Sequence, residues 1–164
     1  MFTHSIKLGT AVLLACMLVD TVSIPARSDD RPPTDDGVVK VRSAYSMGET
    51  IDRLKRDIAS KGIVFFAGID QAKLAADAGI SLRPSTLLVF GNPALGAQFM
   101  TSNPVAGLDW PVRLLVVEDE KGAVWALYTD FAWIARRHQI KDRDAAFNMA
   151  SNVIESITSS VRAK

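Results

Sequence analysis

"VRLLVVEDEKGAVWALYT", from Val112 to Thr129, is the stretch on which the fold class turns. Val112 to Glu118 and Ala123 to Thr129 are two apolar runs rich in strand-forming residues. Between them, Asp119-Glu120-Lys121-Gly122 has the composition of a type I turn whose glycine takes the left-handed position. The pattern predicts an antiparallel hairpin, and such a hairpin argues against a doubly wound parallel sheet.

The segments before the hairpin supply the other strands. Thr86 to Phe90 is a short apolar run, expected in the middle of the sheet. Gly62 to Ile69, "GIVFFAGI", is a strand of nearly continuous apolar character. Val38 to Tyr45 alternates, with Val39, Val41 and Ser43 pointing one way. Between the first two strands, Ser46-Met47-Gly48-Glu49 has capping-box spacing. It opens a helix to about Ser60, with Ile51, Leu54 and Ile58 as its buried stripe and Gly62 as a left-handed stop. Shorter helices are expected over Gln71–Ala78, Pro93–Thr101 and Asp130–Arg137. The last helix runs from about Arg143 to Val161. Ala146, Phe147, Ala150, Val153, Ile154, Ile157 and Val161 fall on one face of it, a stripe too regular to stand free in water. The order is β-α-β(4)-α-like with short extra helices. It predicts an α+β fold, an antiparallel sheet of about five strands covered by the long C-terminal helix.

The chain has 164 residues, the length of one domain. Lys7 followed by the mostly apolar Leu8 to Val19 reads as a secretory signal peptide, too short to span a bilayer comfortably. Residues 1–28 are assigned to that leader and 29–37, acidic and proline-rich, to a flexible linker. The single domain occupies 38–164. Cleavage near residues 26–28 gives a periplasmic or secreted protein. The alternative is a lipid-anchored protein held through Cys16 of "LLAC", so the membrane is met only through the leader or that lipid. Cys16 is the sole cysteine, and His4 also lies in the leader. The domain keeps one histidine, His138. That inventory excludes Cys/His zinc sites, and neither a metal nor a cofactor is expected. Removing 1–28 takes away Lys7, Arg27 and Asp20 and leaves a net charge near zero. Nothing there points to nucleic acid.

Gly91 to Gly96, "GNPALG", has the glycine spacing of a phosphate loop. Ala97-Gln98 follows it instead of the Lys-Ser or Lys-Thr that phosphate and magnesium require. Asn92 is a good helix N-cap and Pro93 suits the first helical position. A structural corner is therefore the expected reading.

The same stretch carries a family resemblance. "LRPSTLLVFGNPALGAQFM" (Leu82–Met100) resembles the core signature of the bacterial domain of unknown function 302 family (DUF302). "SMGETIDRLKRDIASKGI" (Ser46–Ile63), "AGLDWPVRLLVVEDEKGAVWALYTD" (Ala106–Asp130) and "IARRHQI" (Ile134–Ile140) agree in order and spacing. The resemblance implies a curved antiparallel sheet gripping a long helix, often in a homodimer, and no established reaction. Where that family reads Asp-His after its second strand, this chain has Asp70-Gln71. The second family histidine is kept as His138, so a mechanism needing both is in doubt.

The candidate binding residues are Asp70, Arg83, Asn92, Glu118, Tyr128 and His138. His138 is the one side chain of the domain that ordinarily titrates near neutrality, and it also suits a helix C-cap. Asp70 ends a strand and is placed to cap the next helix. Arg83 offers a planar fork to an acidic ligand, or a surface ion pair. Glu118 lies within a strand's periodicity, and Tyr128 shares a hairpin face with Val124 and Ala126. Trp110, Trp125 and Trp133 read as core or dimer contacts. The expected function is an exported small binding or interaction domain. Its small-ligand pocket is expected to be rimmed by Asp70, Glu118 and His138. The alternative is an enzyme using a carboxylate with His138 for acid–base chemistry. No nucleophile–base–orienter set is visible to favour that alternative.

Overall fold

The computed structural model describes Met1 and residues 36–164. The leader, Cys16 and the linker up to residue 35 lie outside the described residues. The sheet has five strands, β1 (Val38–Arg42), β2 (Val64–Asp70), β3 (Ser85–Gly91), β4 (Val112–Glu118) and β5 (Val124–Thr129). They lie in the order β1-β5-β4-β3-β2, and each neighbouring pair is antiparallel. The helices are α1 (Met47–Ser60), α2 (Gln71–Asp77), α3 (Pro93–Ser102), α4 (Phe131–Arg137) and α5 (Asp144–Ser159). A 3₁₀ turn, Pro104–Asp109, joins α3 to β4 and was not foreseen.

The hairpin closes as its composition dictates. Gly122 has φ of 75°, and Asp119 accepts from the amides of Lys121 and Ala123 through one carboxylate oxygen. Its other oxygen accepts from the Trp125 indole at 2.9 Å. The indole bond, with the Ala123 amide behind it, holds the Asp119 carboxyl below its usual range. Only half of the expected capping box forms. Ser46 accepts from the Glu49 amide, but the Glu49 carboxylate turns to Arg53, one turn on, at 2.9 Å.

One face of the sheet makes the core. Leu88, Leu114 and Tyr128 share a cross-strand row, and Val116, Ala126 and Val41 share the next. All six are buried with Leu54 and Ile58 of α1 and with Phe147, Ile154 and Ile157 of α5. Both helices therefore cover this face, where the sequence assigned that role to the terminal helix. The opposite face carries the row Leu87, Leu115 and Leu127, each only half-buried. β2, whose apolar run resembles a core strand, lies at the sheet edge with nearly every residue exposed.

Ile157 is fully buried at the centre of this contact. Ile157→Ala is expected to cost about 2–5 kcal/mol through lost transfer energy and a residual cavity. Urea denaturation of the two proteins measures it, and a loss below about 1 kcal/mol would contradict the packing described.

Candidate functional site

The glycine-bracketed corner is a socket for an indole. Asn92 caps α3, its side-chain oxygen accepting from Ala94 and Leu95 at 3.0 and 3.2 Å. Gly91 and Gly96 both lie against the Trp110 ring, and a Cβ at either position would overlap it. The two glycines are required by close approach to an aromatic ring, with the α3 amides already engaged by Asn92.

Trp110 forms part of the wall of a cleft of about 580 Å³ between the sheet end, α3 and α5. Phe90, Leu95, Phe99 and Val112 line it from the sheet and α3, and Ile63 and Lys61 from the end of α1. α5 contributes two ladders with helical four-residue spacing. Met149 and Val153 are the apolar one, and Asn148, Asn152 and Ser156 the polar one. The ladder from 148 to 156 is roughly 12 Å long at 1.5 Å per residue. The lining is mostly apolar, with neutral hydrogen-bonding groups on one wall. The one cation, Lys61, pairs with Asp57 at 2.9 Å. A second groove, of about 670 Å³, runs between α4 and α5 but is edged by Arg136, Lys141 and Asp144.

His138 belongs to a different arrangement. It ends α4, and its ring Nε2 lies 2.6 Å from Asp109 Oδ2, with both side chains 4% exposed. Arg113 reaches the same carboxylate at 2.9 Å and Arg137 at 3.2 Å. Asn103 donates to the His138 carbonyl. The cluster ties the 3₁₀ turn to the end of α4 and to β4.

The six candidate residues are not brought together. Asp70 caps α2, accepting from the Lys73 amide at 2.9 Å. Gln71, in the place of the family histidine, accepts from the Ser85 hydroxyl at 2.7 Å. Arg83 meets Glu120, not Asp70, in an exposed pair at 3.5 Å. Glu118 closes β4 beside them, its amide donating to the Pro84 carbonyl. Asn92 and His138 lie at the other end of the sheet, beyond β3 and β5, roughly 20 Å away at 3.3 Å per strand residue. The expected rim of Asp70, Glu118 and His138 is thus split between the two ends. Tyr128 is buried in the core, and burial, helped by the Glu155 charge, pushes its hydroxyl up to about 12. Sequence reasoning missed Asp109 and the cleft wall of α5. Asp109 ends an irregular turn with no periodicity to betray it. The asparagines of α5 read as ordinary solvated positions until α3 is placed opposite them.

An open five-stranded antiparallel sheet with two helices on one face defines this as a small α+β domain. The model described as "Domain of unknown function DUF302" matches residues 39–157, and the chain belongs to that family. The crystal structure of an uncharacterized conserved DUF302 protein from Bacillus stearothermophilus has the same fold. It superposes with a TM-score of 0.70 at 16% identity, covering 77% of this chain and 98% of that one. The chain is also 41% identical over 106 residues to the fluoride-specific ion channel FluC 1 of Brucella suis biovar 1 (strain 1330). That match covers 65% of this chain and 42% of the channel protein. The fluoride-specific ion channel FluC 2 of Brucella melitensis biotype 1 is equally identical over 106 residues, with 39% of its length covered. The chain spans about two fifths of the length of these curated relatives. Among the described residues, no helix is long and apolar enough to cross a membrane.

Two outcomes follow from this geometry. Asp109→Ala leaves His138 buried without its partner and frees two arginines. It is expected to cost about 1–3 kcal/mol in urea denaturation, the penalty for a buried group left without its hydrogen-bond partner; a neutral effect would show that the cluster does not hold α4. Tyr128 keeps its proton in the folded chain up to about pH 12 but releases it near pH 10 when unfolded. Its contribution is therefore complete below pH 10 and is lost as pH rises towards 12. Tyr128→Phe should flatten the fall of stability across that interval, and an unchanged slope would refute the assignment.

Proposed function

We propose that this chain is an exported small-molecule-binding domain whose ligand occupies the cleft between α3 and α5. The observation that carries this reading is the cleft lining, an aromatic and aliphatic surface with a neutral polar ladder along one wall. Its size is that of small-molecule sites, which are mostly apolar with a few placed polar groups. The matching ligand is elongated and apolar, with uncharged donors or acceptors along one side. The Lys7 n-region and the apolar run after it support export. The alternative enzyme finds less support, since His138 is buried against Asp109, away from the cleft lining.

Protein purified from its own periplasm should carry a bound organic mass in native mass spectrometry, released on denaturation. The neutral dye N-phenyl-1-naphthylamine should bind the emptied protein with micromolar affinity. Val153→Trp fills the cleft from α5 and should weaken dye binding about tenfold or more, a loss of roughly 1.4 kcal/mol, with the fold intact by circular dichroism. A wild-type protein that neither carries a ligand nor binds the dye would refute the proposal, as would undiminished binding by a folded Val153→Trp variant.

A further inference from the structure

The polar wall of the cleft has a period of its own. Asn148, Asn152 and Ser156 all line the cleft from α5. At 1.5 Å of rise per residue, these rungs stand about 6 Å apart along the helix axis. An extended chain advances about 3.3 Å per residue, so residues facing the same way recur about every 6.6 Å. Three rungs of the helix and three alternate residues of an extended peptide therefore stay in step to about 1 Å over the whole ladder.

The chemistry of the rungs fits the same guest. An asparagine side chain carries both an acceptor and a donor. Every second residue of an extended chain turns its N–H and its C=O to the same edge, and that pair matches one asparagine amide. The rungs are also available. Among the described residues, no hydrogen bond or ion pair engages the side chains of Asn148, Asn152 or Ser156. The neighbouring hydroxyls of Thr158, Ser159 and Ser160, in contrast, all donate to carbonyls of α5. Asn92, on the α3 side of the cleft, spends its oxygen on the Ala94 and Leu95 amides and keeps its side-chain nitrogen as a donor.

The rest of the lining sets the charge and the side chains of the guest. Among the described residues, Lys61 is the only charged one in the lining, and Asp57 neutralises it at 2.9 Å. The lining thus complements an uncharged stretch. A hydrocarbon guest would cover the three rungs without pairing them, and a buried polar group left unpaired is costly. A helical guest would have its backbone groups already spent on itself. We propose that the ligand of the cleft is an extended, uncharged stretch of peptide with apolar side chains at alternate positions, its backbone held by Asn148, Asn152 and Ser156. The ladder spans about five residues of such a chain, so its charged ends lie beyond the cleft. Trp110, Phe90, Phe99, Leu95 and Val112 receive the side chains that point inward, and the alternate ones face out. Backbone bonds of this kind supply affinity, and the apolar lining selects among the inward side chains. The proposal rests on the reading of the cleft as the ligand site and narrows what that ligand is.

Isothermal titration calorimetry of the emptied protein tests it, with a short peptide alternating leucine and serine and blocked at both ends. N-phenyl-1-naphthylamine serves as the separate probe of the cleft. The peptide should bind with a dissociation constant on the order of tens of micromolar and displace the dye. Methylating alternate backbone nitrogens gives two isomers, one blocked on each edge. One isomer should bind at least about tenfold more weakly than the other, because only one edge meets the ladder. Asn148→Leu combined with Asn152→Leu keeps the bulk of both rungs but removes their hydrogen bonds. It should weaken the parent peptide at least about tenfold. Dye binding without peptide binding would overturn this proposal and leave the cleft to a ligand that is not a peptide. Loss of both would overturn the cleft reading as well. Equal binding of the two methylated isomers, or undiminished binding by the double variant, would show that the ladder does not hold a backbone and would also overturn the proposal. If the double variant does not fold, the isomer comparison on the wild type decides alone.

Discussion

Leu88, Leu114 and Val116 on the inner sheet face share one buried cluster with Leu54, Ile58, Ile154 and Ile157 from α1 and α5. Two helices on one face of five strands leave a two-layer structure, so every strand residue is assigned by its register to an inner or an outer side. The inner rows are fully enclosed, and the outer row of Leu87, Leu115 and Leu127 is not. Each large buried aliphatic side chain contributes roughly 1.5–3 kcal/mol against a net stability of only about 5–15 kcal/mol. The fold therefore depends on this single layer of contact. The corner, the charged cluster and the cleft are all positioned by it.

The corner and the cluster divide the work at one end of the sheet. Trp110 lies against both of the glycines that bracket Asn92, while Asp109, one residue earlier, turns back to His138, Arg113 and Arg137. One dipeptide thus fastens α3 on one side and α4 on the other. A buried carboxylate with three cationic or polar partners specifies a position more than it adds stability, because desolvation offsets much of the attraction. The indole adds a large apolar area that tolerates no Cβ on either glycine. The cleft keeps its shape between these two fastenings, since its lining includes both Trp110 and α5.

Much of this was legible in the sequence where period and turn chemistry agree. The Asp119–Gly122 turn, the Asn92-Pro93 cap and the stripe of α5 are local signals, and each has its mechanism in a few residues. The family was legible in another way, as the resemblance of Leu82–Met100 to the DUF302 signature. What could not be read is what depends on which segments meet. "GIVFFAGI" has the pattern of a buried strand, and only the strand order places it at an edge. His138 looks like a cap or a site residue, because its partner Asp109 is 29 residues away and sits in a turn without periodicity. The expected rim of Asp70, Glu118 and His138 joined residues that are chemically apt but lie at opposite ends of strands. Register, unlike side-chain chemistry, is a long-range property.

The outer face shows how an uncovered apolar layer is made compatible with water, and how unevenly. Lys40 stands across from Leu127, and Arg42 across from Trp125. Long cationic side chains at such positions can lay their methylenes over neighbouring apolar surface while their heads stay solvated. Arg113, across from Val89, is drawn to the sheet end by the Leu108 carbonyl and Asp109. Between Leu87 and the outer edge the only cross-strand partner in that row is Ile69. Cationic cover is therefore present on the β1 side of the face and fails towards β2. The exposed side chains Leu74, Ile80 and Leu82 follow β2 directly in the chain, on α2 and the loop after it. A gradient of this kind does not arise from core packing, which is complete without it. It is a property of the surface alone, and it leaves exposed apolar side chains on the edge strand β2, whose outer side has no strand neighbour among the described residues.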